Sequence, residues 1–229
     1  MPKRIVEAMA ALALAAGSWG QGASRPSSIV AVGDATVTGT PDLAYLSVGV
    51  ATQAATAEAA TIQNAAQAGA MITALQNLLG TSASIKTVSY SLSPIYNNTP
   101  AGQAATIIGY SVTNIVQVTL MDLTQVGNTI DTAIQSGANR VQGVSFSLQD
   151  RTPLVAQALK TAAGRARAQA DAIASGLSVH TGAVLHASEG VNTVNPVIAG
   201  AAAAAPTTPI ETGLVVVQAS VTIEVAITQ

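Results

Sequence analysis

The chain of 229 residues contains no cysteine, few aromatic residues and few charges. The absence of cysteine excludes disulfide bonds, thiolate metal ligands, a cysteine nucleophile and a lipid-modified N-terminal cysteine. Aromatic residues make up 3% of the chain, so platforms for stacking bases or sugars are scarce. Charged residues make up 9% and the net charge is −2. This balance argues against nucleic acid as a partner, because phosphate recognition needs a basic face.

Recognisable catalytic motifs are also missing. The sequence has no G-x-S-x-G serine turn, no phosphate-binding loop and no dinucleotide-binding G-x-G-x-x-G. The two histidines, His180 and His186, lack the spacing of a helical metal site, and Glu189 does not complete one. No spacing among the carboxylates indicates a pair for hydrolysis. We therefore predict a protein that is not an enzyme and holds no cofactor or metal.

The N-terminus has the order of a secretory signal peptide. Lys3 and Arg4 precede a short apolar run, Ala8 to Ala16, which small residues follow. The run is shorter than the ~20 residues of a membrane span, and no later segment predicts one. We predict a signal peptide over residues 1–22, cleavage between Ser18 and Ala23, and a periplasmic location. The alternative is an ordinary amphipathic N-terminal helix.

The rest of the chain, residues 27–229, reads as one domain that mixes strands and helices. Alternating and helical apolar spacings predict strands at 29–38, 43–52, 85–96, 106–121, 141–149, 183–188 and 214–227, and helices at 57–79, 122–137 and 152–177. An alanine- and proline-rich stretch, 191–210, predicts a flexible loop.

Capping residues define the ends of the first helix, and apolar spacing predicts its buried face. Thr56 suits the N-cap and Gly80 the stop. The stripe expected to face the core consists of Ile62, Ala65, Gly69, Ile72, Leu75 and Leu79. The corresponding stripe of the third helix consists of Val155, Leu159, Ala162, Ala166, Ala170, Ile173 and Leu177.

One strand pattern occurs twice. Repeat segment 1, KTVSYSLSP at Lys86–Pro94, and repeat segment 2, QGVSFSLQD at Gln142–Asp150, share V-S-aromatic-S-L. Each segment is the last strand of a strand–helix–strand unit. The unit of repeat segment 1 is Leu46–Leu92, and the unit of repeat segment 2 is Val112–Leu148. In each segment we expect the apolar residues to face helices and the serines to face away. Chance similarity of two ordinary strands is the alternative.

These units predict the fold class. We expect an α+β fold in which an antiparallel sheet carries helices packed on one face. A third helix and a long C-terminal strand complete the two pseudo-repeated units.

Two surfaces are candidates for function. The first is an interface for a homo-oligomer or an envelope protein partner, because the third helix has a mildly basic face and the C-terminal strand would be exposed. Its residues are Lys160, Arg165, Arg167 and Asp171 on the helix and Val217, Val221 and Ile223 on the strand. A solvated helix surface would also explain the charged residues. The second candidate is a ligand pocket between sheet and helices, lined by Tyr45, Tyr90, Tyr110 and Phe146. A plain core would explain these four.

The order of the motifs resembles the SIMPL-domain family, whose bacterial members include periplasmic immunogenic and oxidative-stress-associated envelope proteins. The matching stretches are VTGTPDLAYLSVGV (37–50), GYSVTNIVQVTL (109–120), SGANRVQGVSFSLQD (136–150), RARAQADAIA (165–174) and TPIETGLVVVQASVTIEVAI (208–227). One departure is Ser178, which stands where the family tends to place the glycine that ends the third helix.

The resemblance implies an exported α+β protein that self-associates, without an enzyme activity, cofactor or catalytic residues to transfer. We therefore expect a non-enzymatic periplasmic protein that works through self-assembly or envelope contacts, in envelope or oxidative stress tolerance. A small-ligand-binding or stress-response module is the alternative.

Overall fold

The computed structural model describes residues 27–80, 83–97, 104–197 and 208–229, of which 191–197 are described by their backbone alone. The predicted signal peptide, 1–22, lies outside the described residues. Seven strands and three helices follow in chain order: β1 (Ser28–Gly39), β2 (Leu43–Ala54), α1 (Ala57–Leu79), β3 (Ser84–Tyr96), β4 (Ile107–Leu120), α2 (Val126–Gln135), β5 (Arg140–Ser147), α3 (Thr152–Gly176), β6 (His180–Val197) and β7 (Leu214–Thr228).

The strands form two antiparallel sheets, which confirms the α+β class and corrects the expectation of one sheet. The three-stranded sheet has the order β1-β7-β6, and the four-stranded sheet has the order β3-β4-β2-β5. β1 pairs along its whole length with β7, from Ser28 beside Ala226 to Gly39 beside Val215. The Thr40–Asp42 turn therefore carries the chain from one sheet to the other. The sequence spacing alone predicts that the same turn joins two paired strands in an ordinary hairpin.

The four-stranded sheet contains both predicted strand–helix–strand units. β2-α1-β3 and β4-α2-β5 follow one another, and their strands interleave in a β-α-β-β-α-β arrangement. β2 and β4 are the central pair, whereas β3 and β5, which carry the two repeat segments, form opposite edges. The repeat thus corresponds to equivalent positions in two related halves.

The core of the four-stranded sheet lies between its strands and the helices α1 and α2. The central strands contribute alternating residues, among them Leu46, Val48, Val116 and Val118, all fully buried. Met71 of α1 closes the core from the helix layer, with Leu75, Val126 and Ile130. Repeat segment 2 joins this core through Val144 and Phe146, as predicted.

The core of the three-stranded sheet lies under α3 and uses small side chains. Ala158, Ala162, Ala166, Ala170 and Ala174 recur at every fourth residue and are buried against β1 and β7. Because these side chains are small, the helix backbone comes close to the sheet. A Cβ added at Gly33 of β1 would lie 2.1 Å from the Ala162 carbonyl oxygen. Gly33 is therefore required by this close approach.

The helix boundaries agree well with the prediction, but the buried faces do so only in part. The Thr56 side chain accepts a hydrogen bond from the Ala59 N–H, and α1 ends at Gly80 with φ of 60°. The residues of α1 that face the core are Ala60, Asn64, Ala68, Met71 and Leu75. The predicted stripe is wrong over the first half of the helix, where Ile62, Ala65 and Gly69 are exposed. In α3, Ile173 and Leu177 are likewise exposed.

Ser178 resolves the departure at the end of α3. Its φ is 56°, the left-handed conformation that glycine adopts most readily. The following Val179 N–H donates to the Ala174 carbonyl and closes the helix end. The serine therefore takes the role of the missing glycine, with a cost in backbone strain.

The region predicted as a loop, 191–210, is partly a strand. β6 continues to Val197, whose backbone lies beside Leu214 of β7. Residues 198–207 lie outside the described residues. Beyond them, Thr208 donates from its hydroxyl to a carboxylate oxygen of Asp131 at 2.7 Å, and Ile210 packs against the core of the four-stranded sheet. Because this segment leads into β7, these contacts connect α2 to the beginning of the β7 strand.

Candidate functional site

The four aromatic residues of the predicted pocket do not come together. Phe146 in β5 lies beside Ala44 of β2, which pairs with Leu120 of β4, whereas Tyr90 lies beside Asn114. Six residues along a strand separate these positions by ~20 Å.

The other two residues are also separated. Tyr45 alternates with the buried Ala44 and Leu46, so it points away from the helices. Tyr110 lies beside Pro94 at the end of the sheet that is remote from Phe146. The predicted pocket is not formed.

A shallow groove is found instead at the C-terminal end of α1. It has a volume of about 460 Å³ and is lined by Gln76, Gly80, Ala83 and Ile85. None of these four residues is ionisable, and the groove is open to solvent. The arrangement supplies neither an acid–base pair nor a nucleophile.

The C-terminal strand is buried, which corrects the expectation that it is exposed. β7 lies in the middle of its sheet, between β1 and β6. Val217, Val221 and Ile223 point into the core beneath α3. They therefore contact their own chain and offer no surface for a partner.

The charged residues of α3 largely serve the fold of their own chain. Arg165 donates to the Asp34 carbonyl oxygen at 2.6 Å and so ties α3 to β1. Arg167 donates to Thr181 at 2.8 Å and forms an ion pair with Asp171 at 3.1 Å. Lys160 is exposed on the same helix. A partner contact through these four residues stays a prediction.

Two surface carboxylates act as caps. The pKa of Asp122 is lowered because the carboxylate accepts hydrogen bonds from the side chain and backbone N–H of Thr124, before α2. The pKa of Asp150 is lowered because it accepts from the backbone N–H and side chain of Thr152, at the start of α3. Such bonds stabilise the ionised form. Within the part of the chain that the structure describes, the carboxylates and histidines form no group suited to a metal ion.

An apolar surface runs along the free edge of the four-stranded sheet. On β3, Val88, Tyr90 and Leu92 are 53%, 54% and 42% exposed. At the end of the β3–β4 pair, Tyr96 is exposed beside Ile107 of β4, and Ile107 and Ile108 are exposed on opposite faces of that strand. We call these six residues the β3 edge surface. The sequence predicts that the apolar residues of repeat segment 1 face the helices, and Tyr90 and Leu92 do lie on that face of the sheet, but they are exposed rather than packed beneath a helix.

The position of α1 explains why the β3 edge surface is uncovered. The Thr52 hydroxyl donates to the Ala60 carbonyl at 2.8 Å, and the Asn64 amide nitrogen donates to the carbonyl oxygens of Val50 and Val112 at 3.0 and 3.3 Å. These contacts centre the first half of α1 over β2 and β4. β3 is one strand further out, so its side chains extend beyond the helix.

Buried polar groups lie next to this surface. Asn64 is 1% exposed, and its amide oxygen has no hydrogen-bond partner among the residues that the structure describes. The amide oxygen of Asn114, the β4 neighbour of Tyr90, is also buried and without a partner in the described part of the chain. Two such acceptors are costly to bury, so the layer between α1 and the sheet is polar beside the uncovered strand.

The fold and the β3 edge surface together define a class: an α+β architecture with an apolar edge strand that no described helix covers. None of the helices that the structure describes is long and apolar enough to cross a membrane. The chain belongs to the SIMPL family, whose model is described as a protein of unknown function (DUF541) and matches residues 29–225.

Two curated relatives are similar to the chain over most of its length. Both are called 26 kDa periplasmic immunogenic protein, one from Brucella melitensis biotype 1 and one from Brucella abortus (strain S19). Each is 29% identical over 174 residues, which cover 72% of this chain and 68% of the relative. The resemblance inferred from sequence motifs is thereby confirmed.

Proposed function

We propose that the chain is an exported periplasmic protein that acts without catalysis, through self-assembly or contact with other envelope proteins. The periplasmic names of the two Brucella relatives support the location. The order of charge, apolar run and small residues at the N-terminus also supports it. In this role the assembled protein contributes to envelope or oxidative stress tolerance.

The β3 edge surface is the observation that carries the proposal. An edge strand presents unpaired backbone N–H and C=O groups, and a long apolar edge favours pairing with another chain. Soluble monomers rarely expose large contiguous apolar patches without a use for them. Two of the four tyrosines of this aromatic-poor chain, Tyr90 and Tyr96, lie exposed on β3. Tyrosine is enriched at protein interfaces.

The ligand-binding alternative has lost its main support, because the aromatic side chains that would line the pocket lie at separate places on the sheet. A monomer that binds small molecules would support this alternative. Self-assembly instead predicts a multimer that binds no small molecule.

The experiment uses the full chain, expressed with its own N-terminus in a Gram-negative host. Cell fractionation should place the protein in the periplasm, and mass spectrometry of the purified protein should show cleavage between Ser18 and Ala23. Light scattering behind size exclusion should then give a defined multimer over a wide range of concentration. Retention in the cytoplasm contradicts the location, and a monomer at the highest concentration contradicts self-assembly.

A further inference from the structure

We propose that the outer face of the four-stranded sheet, which is turned away from α1 and α2, binds a linear polysaccharide that carries carboxylate groups. Both the partner and the surface differ from those of the proposed self-assembly, which uses the β3 edge surface. The residues of the outer face form rows across the strands: Lys86, Gln117, Ser47 and Gly143 in one row, Thr119, Tyr45 and Ser145 in the next, and Arg140 beside Gly49 in a third.

Strand alternation places these residues on the side opposite the helices. Leu46 lies between Tyr45 and Ser47 in β2 and is fully buried in the core beneath the helices. Side chains before and after it therefore point to the other face. Neighbouring strands are ~4.8 Å apart, so a row from β3 to β5 spans ~14 Å. This length suits an extended segment of a polymer better than a single small molecule.

The polar side chains of the outer face are available to a ligand. Within the described part of the chain, four central side chains form no hydrogen bond and keep their polar atoms accessible: Tyr45, Ser47, Gln117 and Thr119. Hydroxyl and amide groups both donate and accept hydrogen bonds. The hydroxyl groups of a polysaccharide do the same, so the two surfaces match in their hydrogen-bonding chemistry.

The charge of this sheet is positive. Its four strands contain no aspartate or glutamate, and their only charged residues are Lys86 and Arg140. Both side chains are exposed, and neither forms an ion pair with another described residue. The chain as a whole has a net charge of −2. Two unpaired cations on opposite outer strands favour a polymer that carries carboxylates.

Tyr45 gives the outer face an aromatic ring among hydroxyl groups. The ring lies on a central strand between Thr119 and Ser145. In the adjacent row, a Cβ added at Gly143 would meet no atom within 4 Å, so the face is open there. The faces of sugar rings present C–H groups, which pack against the electron-rich face of an aromatic ring. A protein interface instead has an apolar centre, so the outer face favours a sugar polymer.

The corresponding face of the three-stranded sheet has a different character. It exposes Val30 and Val32, at 58% and 43%, and carries the carboxylates of Asp34 and Glu224. Glu224 also accepts a hydrogen bond from the Ser28 hydroxyl at 2.6 Å. An anionic polymer is repelled by such carboxylates. This face therefore supplies the control variant for the outer face.

The test is native electrophoresis of the full chain, purified from the periplasm, in gels that contain a soluble polymer. Alginate is a linear polysaccharide of uronic acids, dextran has hydroxyl groups without charge, and polyglutamate has carboxylates without sugar rings. We expect alginate to retard the chain at a concentration about tenfold lower than either control polymer. Equal retardation by polyglutamate overturns sugar recognition, and equal retardation by dextran overturns the role of the carboxylates.

A pair of matched variants locates the binding surface. Ser145→Glu places a carboxylate beside Tyr45 and should raise the dissociation constant for alginate about tenfold. Thr36→Glu places one at an exposed hydroxyl on the outer strand β1 of the other sheet and should leave the constant unchanged. Each variant is compared with itself in a polymer-free gel, and circular dichroism checks that it is folded. Equal weakening by the two variants overturns the assignment to the outer face.

Two further variants separate the charges from the ring. The double variant K86Q/R140Q should weaken binding at low salt and lose this effect at high salt, because salt screens exposed charges. Lys160→Gln on α3 is its control. Tyr45→Ala should weaken binding at every salt concentration, whereas Tyr45→Phe, which keeps the ring, should bind within about twofold of the original chain. Equal losses for Tyr45→Phe and Tyr45→Ala overturn the packing of a sugar on the ring.

The outcomes also separate the polysaccharide site from the proposed function. A multimer that alginate does not retard overturns the site and leaves self-assembly standing. A monomer that alginate retards, and that Ser145→Glu weakens, overturns self-assembly and supports the site.

Discussion

The two repeat segments have nearly the same sequence and opposite surroundings. In repeat segment 2, Phe146 packs against a core closed by α2. In repeat segment 1, Tyr90 occupies the corresponding place in the pattern and is 54% exposed. Both residues lie on edge strands of the same sheet and on the face that carries the helices.

The difference shows that the V-S-aromatic-S-L pattern specifies a strand but does not specify whether a helix packs over it. V-S-aromatic-S-L alternates, and alternation predicts which residues share a face. Whether a helix lies over that face depends on contacts made elsewhere, such as the hydrogen bonds of Asn64 that hold α1 over the central strands. Repeat segment 2 thus contributes to the core, and repeat segment 1 lies on the surface that we propose as a contact.

The largest expected effect separates the two aromatic residues. Phe146→Ala should lower the free energy of unfolding of the monomer by about 2–3 kcal/mol, because a partly buried ring leaves a cavity. Tyr90→Ala should lower it by less than ~1 kcal/mol, because the ring is largely solvated. Urea unfolding at a concentration where the chain is monomeric measures both. Equal losses would show that the two segments are covered alike.

A second comparison concerns the asparagines that adjoin the two segments. Asn139, before β5, uses its amide to accept from the Ala51 N–H at 2.7 Å and to donate to the Ala51 carbonyl at 2.8 Å, so it extends the strand pairing of β2. Asn97, after β3, accepts one bond from the Thr106 N–H at 2.8 Å. Asn139→Ala should cost about 1–2 kcal/mol and Asn97→Ala about half as much. Thermal unfolding of the two variants tests this order, and a larger loss for Asn97→Ala contradicts it.

Ser178 lies outside both segments and provides a variant that should change stability alone. Ser178→Gly should raise the free energy of unfolding by up to about 1 kcal/mol, because glycine adopts the left-handed conformation without steric cost. The mass measured by light scattering should stay that of the original chain. A destabilised variant would mean that the Ser178 side chain contributes more than its strain removes.

The smallest effect is expected from the two capping carboxylates, which flank the α2–β5 half of the sheet. In the folded chain the pKa values of both carboxylates lie below the ordinary value of 3.8, so their contribution to stability is present above about pH 4 and is lost as the pH falls through the folded values. Asp122→Asn and Asp150→Asn should therefore flatten the acid limb of the stability profile and leave its shape near pH 7 unchanged. A steeper acid limb in either variant contradicts the assignment.

Much of the local structure could be predicted because short-range chemistry determines it. Thr56 and Gly80 mark α1 to the residue, and Asp122 caps the turn that leads into α2. The buried faces were harder to predict because alanine is common on all sides of α1 and α3. Each helix packs against its sheet with the face that allows close approach. In α1 this face includes Asn64 and leaves Ile62 exposed, and in α3 it consists of the alanines.

Long-range pairing could not be predicted from the sequence. β7 alternates valine and isoleucine with threonine, serine and glutamine, and this pattern suits a central strand with one solvated face as well as an exposed edge. For the same reason the division into two sheets was missed, since the partner of β1 lies at the other end of the chain. The sequence could identify the apolar residues of the β3 edge surface. It could not predict that Tyr90 and Leu92 are exposed, because their exposure depends on the position of α1.

The pairing of β1 with β7 also determines the order in which the chain can fold. Residues 43–147 contain the whole four-stranded sheet and both its helices, so the strand pairings of this sheet are complete within one continuous stretch of the chain. β1 precedes this stretch, and within the described residues it pairs with β7 alone, near the C-terminal end of the chain. The N-terminal strand therefore cannot form its sheet until the fifteen residues of β7 are available to pair with it. A chain that stops short of β7 would therefore keep one complete sheet and leave two strands, β1 and β6, without their partner, a combination that promotes aggregation.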